Sequence, residues 1–236
     1  QRTLSALVVR ATRDEQLAEL RHNEVFAAAA ALIPSLARWT DPDDFEPITD
    51  AMAGGRLTNS YRGQLDDAGR VPVAGLYFVG DAVSTTNPAS GRGVSLGLQQ
   101  AQALLTMLDS SSDPREISNR FDTWCSDNIK PWYDDHVVCD RSMLSRFAGE
   151  EIDPEGPLSS EVICDTATVD PSMMPVVGPY LGMLTLPMSL TAVEDKARAV
   201  LRSGWRPAPA EGPTSDELGD VIRRARAVPV RSYTSP

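Results

Sequence analysis

Gly75-Leu76-Tyr77-Phe78-Val79-Gly80-Asp81-Ala82, followed after a short loop by Thr86-Asn87-Pro88-Ala89-Ser90-Gly91-Arg92-Gly93-Val94-Ser95-Leu96-Gly97, is the stretch on which the reading of this chain turns. Residues 75–79 are almost wholly apolar, the pattern of a short strand buried on both faces of a parallel sheet, and they run straight into Gly80-Asp81. Beyond the loop, Val94, Gly97, Leu98, Ala101, Leu104, Leu105 and Leu108 recur at helical intervals and predict an amphipathic helix from about Gly93 to Leu108. Strand, loop and helix make one α/β unit. An aspartate at the carboxyl end of a parallel strand sits where such sheets bind ligands, and its ionised carboxylate can accept hydrogen bonds from a polyol. Gly91 and Gly93 let backbone approach a flat ligand and expose the first amides of the helix, whose positive dipole end favours negative charge.

The segment resembles the second FAD-binding motif of the para-hydroxybenzoate hydroxylase-like flavoproteins, the G-D-A…P-x-x-G-x-G stretch shared by aromatic hydroxylases, flavin halogenases and related reductases. The resemblance implies that Gly80 and Asp81 hold the ribityl chain, that Pro88 lines the flavin ring, and that Gly91, Arg92, Gly93 and Val94 present amides to its pyrimidine edge. It implies FAD as cofactor, NAD(P)H as a candidate electron donor and a small organic molecule as substrate. The reaction implied is monooxygenation; a flavin-dependent dehydrogenase or reductase, and a non-catalytic subunit that completes a flavin pocket, stand as alternatives. Ser84 stands where many hydroxylases of the group carry a histidine. Gly91-x-Gly93-x-x-x-Gly97 could also be read as a dinucleotide fingerprint, but that motif follows its strand directly, whereas here a polar loop intervenes.

Weaker likeness extends over roughly Thr3 to Leu108. The family's N-terminal G-x-G-x-x-G unit and its later D-G motif are absent from the sequence. The expectation is therefore a C-terminal portion, with the dinucleotide fold carried elsewhere, on a separate chain or a longer precursor. The fold expected is α/β: part of a substrate-domain sheet at 1–72, the strand-loop-helix of a Rossmann-like FAD domain at 73–110, and a helical region at 111–236.

Upstream, Leu4 to Val9 reads as a buried strand, and Thr12-Arg13-Asp14-Glu15 as a capping box opening a helix that kinks at Pro34 and ends near Trp39. Phe45–Met52 and Arg56–Arg62 read as short strands, and Asp67-Ala68-Gly69 as a turn into a second strand pair. Downstream, Asp113-Pro114-Arg115-Glu116 places a cap, a first-turn proline and a glutamate before Ile117, Phe121, Trp124 and Cys125 on one helical face. Thr191-Ala192-Val193-Glu194 and Thr214-Ser215-Asp216-Glu217 are further capping boxes on either side of a Pro-rich linker at 207–213.

Composition narrows the function classes. The 236 residues carry 22 Lys+Arg against 33 Asp+Glu, a formal charge of -11 that repels phosphate backbones and anionic membranes alike. The most apolar stretch, Met173–Leu190, is interrupted by prolines and does not read as a membrane span. The 3 cysteines, widely spaced, fit neither a disulfide framework nor a zinc site, and are expected as reduced thiols of a cytoplasmic protein. No catalytic residue or metal ligand set is singled out, as expected where a flavin does the bond-making. Arg92 either steers an anion or pairs with a surface carboxylate, and the same alternatives hold for Arg62. His22 and His136 read as solvated or hydrogen-bonded residues, Asp134-Asp135 and Glu150-Glu151 as solvated faces, and Trp124, Trp132 and Tyr133 as core. Met173, Met174, Met183 and Met188 read as core filling or a subunit contact ahead of a substrate-pocket roof.

Overall fold

The computed structural model describes residues 15–41, 43–54, 58–208 and 211–227; the strand expected at Leu4–Val9 and most of the first capping box lie outside them. In chain order the elements are α1 (Asn23–Ala30), α2 (Pro34–Ala37), β1 (Ser60–Tyr61), β2 (Ser84–Thr85), α3 (Gly93–Ser110), α4 (Pro114–Asn128), α5 (Lys130–Phe147), α6 (Ser160–Thr166), α7 (Met174–Leu181), α8 (Glu194–Arg202) and α9 (Ser215–Ala227), with short 3-10 turns between several of them. They form two compact units, 57–208 and a second made of the segments on either side of it. The expected boundaries after residues 72 and 110 both fall inside the larger unit.

In the smaller unit α1 packs on α9 through Val25, Ala29 and Ile222, and Arg226 pairs with Glu19 at 2.6 Å. Pro34 opens α2 at its first turn, so the expected kink is a break between two short helices. The strand expected at Phe45–Met52 does not form: no regular element covers the described part of 43–54, and Ile48 and Met52 are exposed. The Asn23 side chain instead holds this segment, donating to Asp50 and accepting from the Ala51 amide, both at 2.6 Å. The Thr214–Glu217 capping box is present: the Glu217 carboxylate accepts from the Thr214 amide and hydroxyl, and the Thr214 hydroxyl accepts from the Glu217 amide.

The larger unit is helical around one core. Phe121, Cys125, Ile129, Trp132, Ile163, Met173, Val177, Tyr180, Leu190 and Ala197 meet there, with Trp132 stacked on Tyr180 at 5.5 Å between centroids. Asp113 caps α4 as its sequence predicts, its carboxylate accepting from the amides of Arg115 and Glu116. The Thr191 box does not form: Pro187–Val193 is a 3-10 turn running into α8, and Glu194 pairs with Arg198. Of the four clustered methionines Met173 is buried in the core, while Met174 and Met188 are exposed. All three thiols are free, and burial pushes those of Cys125 and Cys164 up to about 12.

The α/β expectation is met only in its helical part. The one sheet among the described residues is the antiparallel pair β1–β2, with Ser60 opposite Thr85 and Tyr61 opposite Ser84. Gly75–Val79 is not a strand of a buried parallel sheet among the described residues, since none of their strands lies beside it, and Leu76 and Val79 are exposed. Gly75 turns at φ +85, and the backbone beyond it is held at Phe78 and Gly80 by side chains. The buried Gln64 carboxamide donates to the Phe78 carbonyl at 2.7 Å and accepts from the Phe78 amide at 2.8 Å, and Gln100 accepts from the Gly80 amide at 2.8 Å. Neither Tyr77 nor Val79 makes a backbone hydrogen bond to a described residue. The Asp67-Ala68-Gly69 turn closes on Asp66, which accepts from the amides of Ala68 and Arg70, but leads into this single segment and not into a strand pair. No helix among the described residues is long and apolar enough to cross a membrane.

Candidate functional site

The site is built where the Gly75–Val79 segment ends. Gly80 turns the chain at φ +61, a backbone that side-chain-bearing residues rarely adopt, and Gly80–Ala82 forms a 3-10 turn packed on α3. A Cβ built on Gly97 lies 3.7 Å from the Gly80 Cα, so helix and turn approach backbone to backbone. The Asp81 carbonyl accepts from the Thr85 hydroxyl at 2.8 Å and from Arg62 at 3.2 Å. These bonds fix the turn and leave the Asp81 carboxylate exposed, with no ion pair or hydrogen bond among the described residues.

From there the loop passes through a second 3-10 turn, Pro88–Ser90, whose start is capped by the Asn87 side chain accepting from the Ala89 amide. Gly91 takes the left-handed conformation at φ +66, with nothing within 4 Å of where a Cβ would stand. α3 begins at Gly93 without a side-chain cap. Its first intrahelical donor into the loop is Leu96, bonded to the Arg92 carbonyl, and the amides of Gly93, Val94 and Ser95 have no acceptor among the described residues. Exposed carboxylate, open glycine corner and orphan amides therefore belong to one loop-and-helix surface.

Arg92, expected on that surface, turns inward. Its guanidinium donates to Asp135 at 2.9 Å and to the Tyr180 hydroxyl at 2.6 Å, and it lies 4.8 Å from the Trp132 ring centroid and 5.0 Å from that of Tyr180. The Tyr180 hydroxyl donates a hydrogen bond to Asp135 at 2.8 Å, with the Ser160 hydroxyl another 2.8 Å away. Burial works against the guanidinium charge, but Tyr180 and Asp135 outweigh it and hold Arg92 more firmly protonated than usual. Burial also pushes the Tyr180 phenol up, so it stays a neutral donor. Arg92 thus pairs with a carboxylate, as one of its two readings had it, but that carboxylate is buried. Asp135 is not part of a solvated face: its side chain is 8% exposed.

The other end of the loop is fastened in the same way. Asp140 accepts from the Asn59 carboxamide at 2.6 Å and from that of Asn87 at 3.0 Å, while Asn59 accepts from the Asn87 amide at 2.8 Å. His136 is buried one turn away, 3.9 Å from Asp140. Asp135, Asp140, Tyr180 and Asn59 are the members that sequence reasoning missed. Arg92 meets Asp135 across 43 residues and Tyr180 across 88, and no local pattern marks such pairs.

Among the described residues no group of three or more His, Cys, Asp or Glu side chains is placed to hold a metal ion. No family model matches the chain, and no curated protein and no solved structure matches it.

Proposed function

We propose that this chain is the C-terminal portion of an FAD-dependent oxidoreductase, a monooxygenase acting on a small organic substrate. The observation that carries the reading is the unpaired, exposed carboxylate of Asp81 on the same surface as the orphan amides of Gly93 and Val94. A carboxylate without a partner is an acceptor for sugar-alcohol hydroxyls, and uncapped helix amides are donors for a ring edge that gains negative charge on reduction. The open space at Gly91 suits the close approach of a flat ring.

In this reading Asp81 holds the ribityl chain, Pro88 borders the ring, and the free amides of Gly93 and Val94 donate to its pyrimidine edge; the Gly91 amide, expected among these donors, is taken by the Pro88 carbonyl, and the Arg92 side chain acts from beneath, by fixing the loop. Bound flavin supplies electron transfer and oxygen activation. The chain's own residues orient the ring and stabilise charge on it, a contribution made by fixed dipoles without reorganisation. NAD(P)H is the electron donor proposed.

The face of α3 turned away from the core supports a completing portion. Val94, Leu98 and Leu105 are 77%, 66% and 62% exposed, and with Ala101 and Leu108 they form a continuous apolar stripe. A helix apolar on both faces is one made to be covered on both. We assign that cover to the protein that carries the ADP-binding half of the cofactor site.

Material purified under native conditions from its source, read by visible absorbance and intact mass, tests the proposal. Flavin bands accompanied by a longer precursor or a second chain, and lost in Asp81→Ala, are the expected result. One colourless chain of this length that stays colourless with added FAD overturns it.

A further inference from the structure

The loop from Asn87 to Gly93 contains one short 3-10 turn and a left-handed glycine, and loops of this kind are held in one shape only by contacts from outside. Besides Asn59, which accepts from the Asn87 amide, and Tyr180 of α7, which accepts from Arg92, the two ends of the loop are each held by a carboxylate of one helix, α5. Asp140 takes the start of the loop through the Asn59 and Asn87 carboxamides, and Asp135 takes its end through Arg92. An ionised carboxylate only accepts, and each of these two faces donors only: two carboxamide N–H groups at Asp140, a guanidinium and a phenol at Asp135. Neither carboxylate reaches the exposed surface of the loop by way of these bonds; both act through other side chains.

We propose that Asp135 and Asp140 of α5 are positioning residues, clamping the two ends of the Asn87–Gly93 loop so that Pro88 and the α3 amides are presented in one fixed geometry. The purpose of that geometry rests on the flavin reading; the clamp itself does not. Asp140 sets where Pro88 stands, because Asn87 precedes it and also caps its turn. Asp135 sets where α3 begins, because Arg92 is the residue before the first helical one.

The polarity of the Asp140 contact makes the test specific. In Asp140→Asn an amide N–H replaces one acceptor and faces the N–H of a carboxamide. In the swapped pair Asn87→Asp with Asp140→Asn the same bond is restored with its direction reversed: residue 140 donates to residue 87 and still accepts from Asn59. The other oxygen at 87 remains free to cap Ala89, and net charge is unchanged.

Amide exchange of the full chain, followed by NMR without flavin, reads the result at Asn87, Ala89 and Gly91, whose amides are all bonded in the loop. Asp140→Asn is expected to speed exchange at Asn87 and Ala89 about tenfold, the equivalent of one net hydrogen bond, and the swapped pair to return it to near the parent rate. Asp135→Asn is expected to speed Gly91 and to leave Asn87 closer to the parent. Unchanged rates in Asp140→Asn, or a swapped pair that exchanges as fast as that single variant, overturn the proposal. Should Asp140→Asn not fold, a swapped pair that folds with parent-like exchange supports it and one that fails overturns it. FAD titration of the same samples, completed as in the native material, reports on the flavin reading separately. A colourless protein with a swap-restored loop defeats that reading alone.

Discussion

Arg92→Met removes the guanidinium and keeps much of its stem, so the carboxylate of Asp135 loses its counter-ion without losing its packing. Because Asp135 is 8% exposed, water cannot replace the lost partner, and breaking such a buried pair costs about 3–5 kcal/mol. One feature of the site bounds the figure: Tyr180 still donates to the carboxylate. The expected loss is therefore at the lower end of that range, about 3–4 kcal/mol. Removing both charges with Arg92→Met and Asp135→Leu is expected to recover most of the loss. Urea unfolding followed by tryptophan fluorescence suits the measurement, since Trp132 lies under Arg92. A single variant no less stable than the double refutes the reasoning.

Two glycines with the same backbone angle are expected to answer differently to alanine. Gly91→Ala costs only the left-handed backbone, about 1–2 kcal/mol, whereas at Gly63 the new Cβ would also stand 2.6 Å from the Asp122 carboxylate that accepts from the Gln64 amide, and the loss by urea unfolding is expected to be at least 1 kcal/mol greater. At the start of α9 the Thr214 amide, and then its hydroxyl, hold the Glu217 carboxyl below the usual range, so its contribution is complete above about pH 4.3 and is lost as pH falls through the depressed folded value. The protection of the Thr214 amide, taken relative to its intrinsic exchange rate at each pH, is expected to fall on acidification in the parent and to show no such step in Glu217→Gln.

What was legible in the sequence was local. The caps at Asp113 and Thr214, the break at Pro34, the helix from Gly93 and the buried face of Ile117, Phe121 and Cys125 each depend on residues within a turn or two of one another, and each is present. The strand at Gly75–Val79 was misread because an apolar run states only that a segment can be extended; whether it becomes a strand depends on a neighbour, and here a glutamine supplies the bonds. Thr191 failed as a cap because the prolyl turn before it already sets the entry to α8. Asp135 looked like surface for want of any sign of Arg92. The loop surface was located by its glycines and aspartate, while the residues that fasten it from below lie far away along the chain.

The grip of Gln64 on Phe78 gives the extended segment a handedness of a kind. Along a β-type backbone successive residues aim their amides and carbonyls to opposite sides, so the Phe78 side is occupied by the glutamine, while the Tyr77 and Val79 side has no backbone partner among the described residues. A strand that paired with Phe78 would first have to displace both Gln64 bonds, so the glutamine works as a stopper on that side of an apolar, charge-free run.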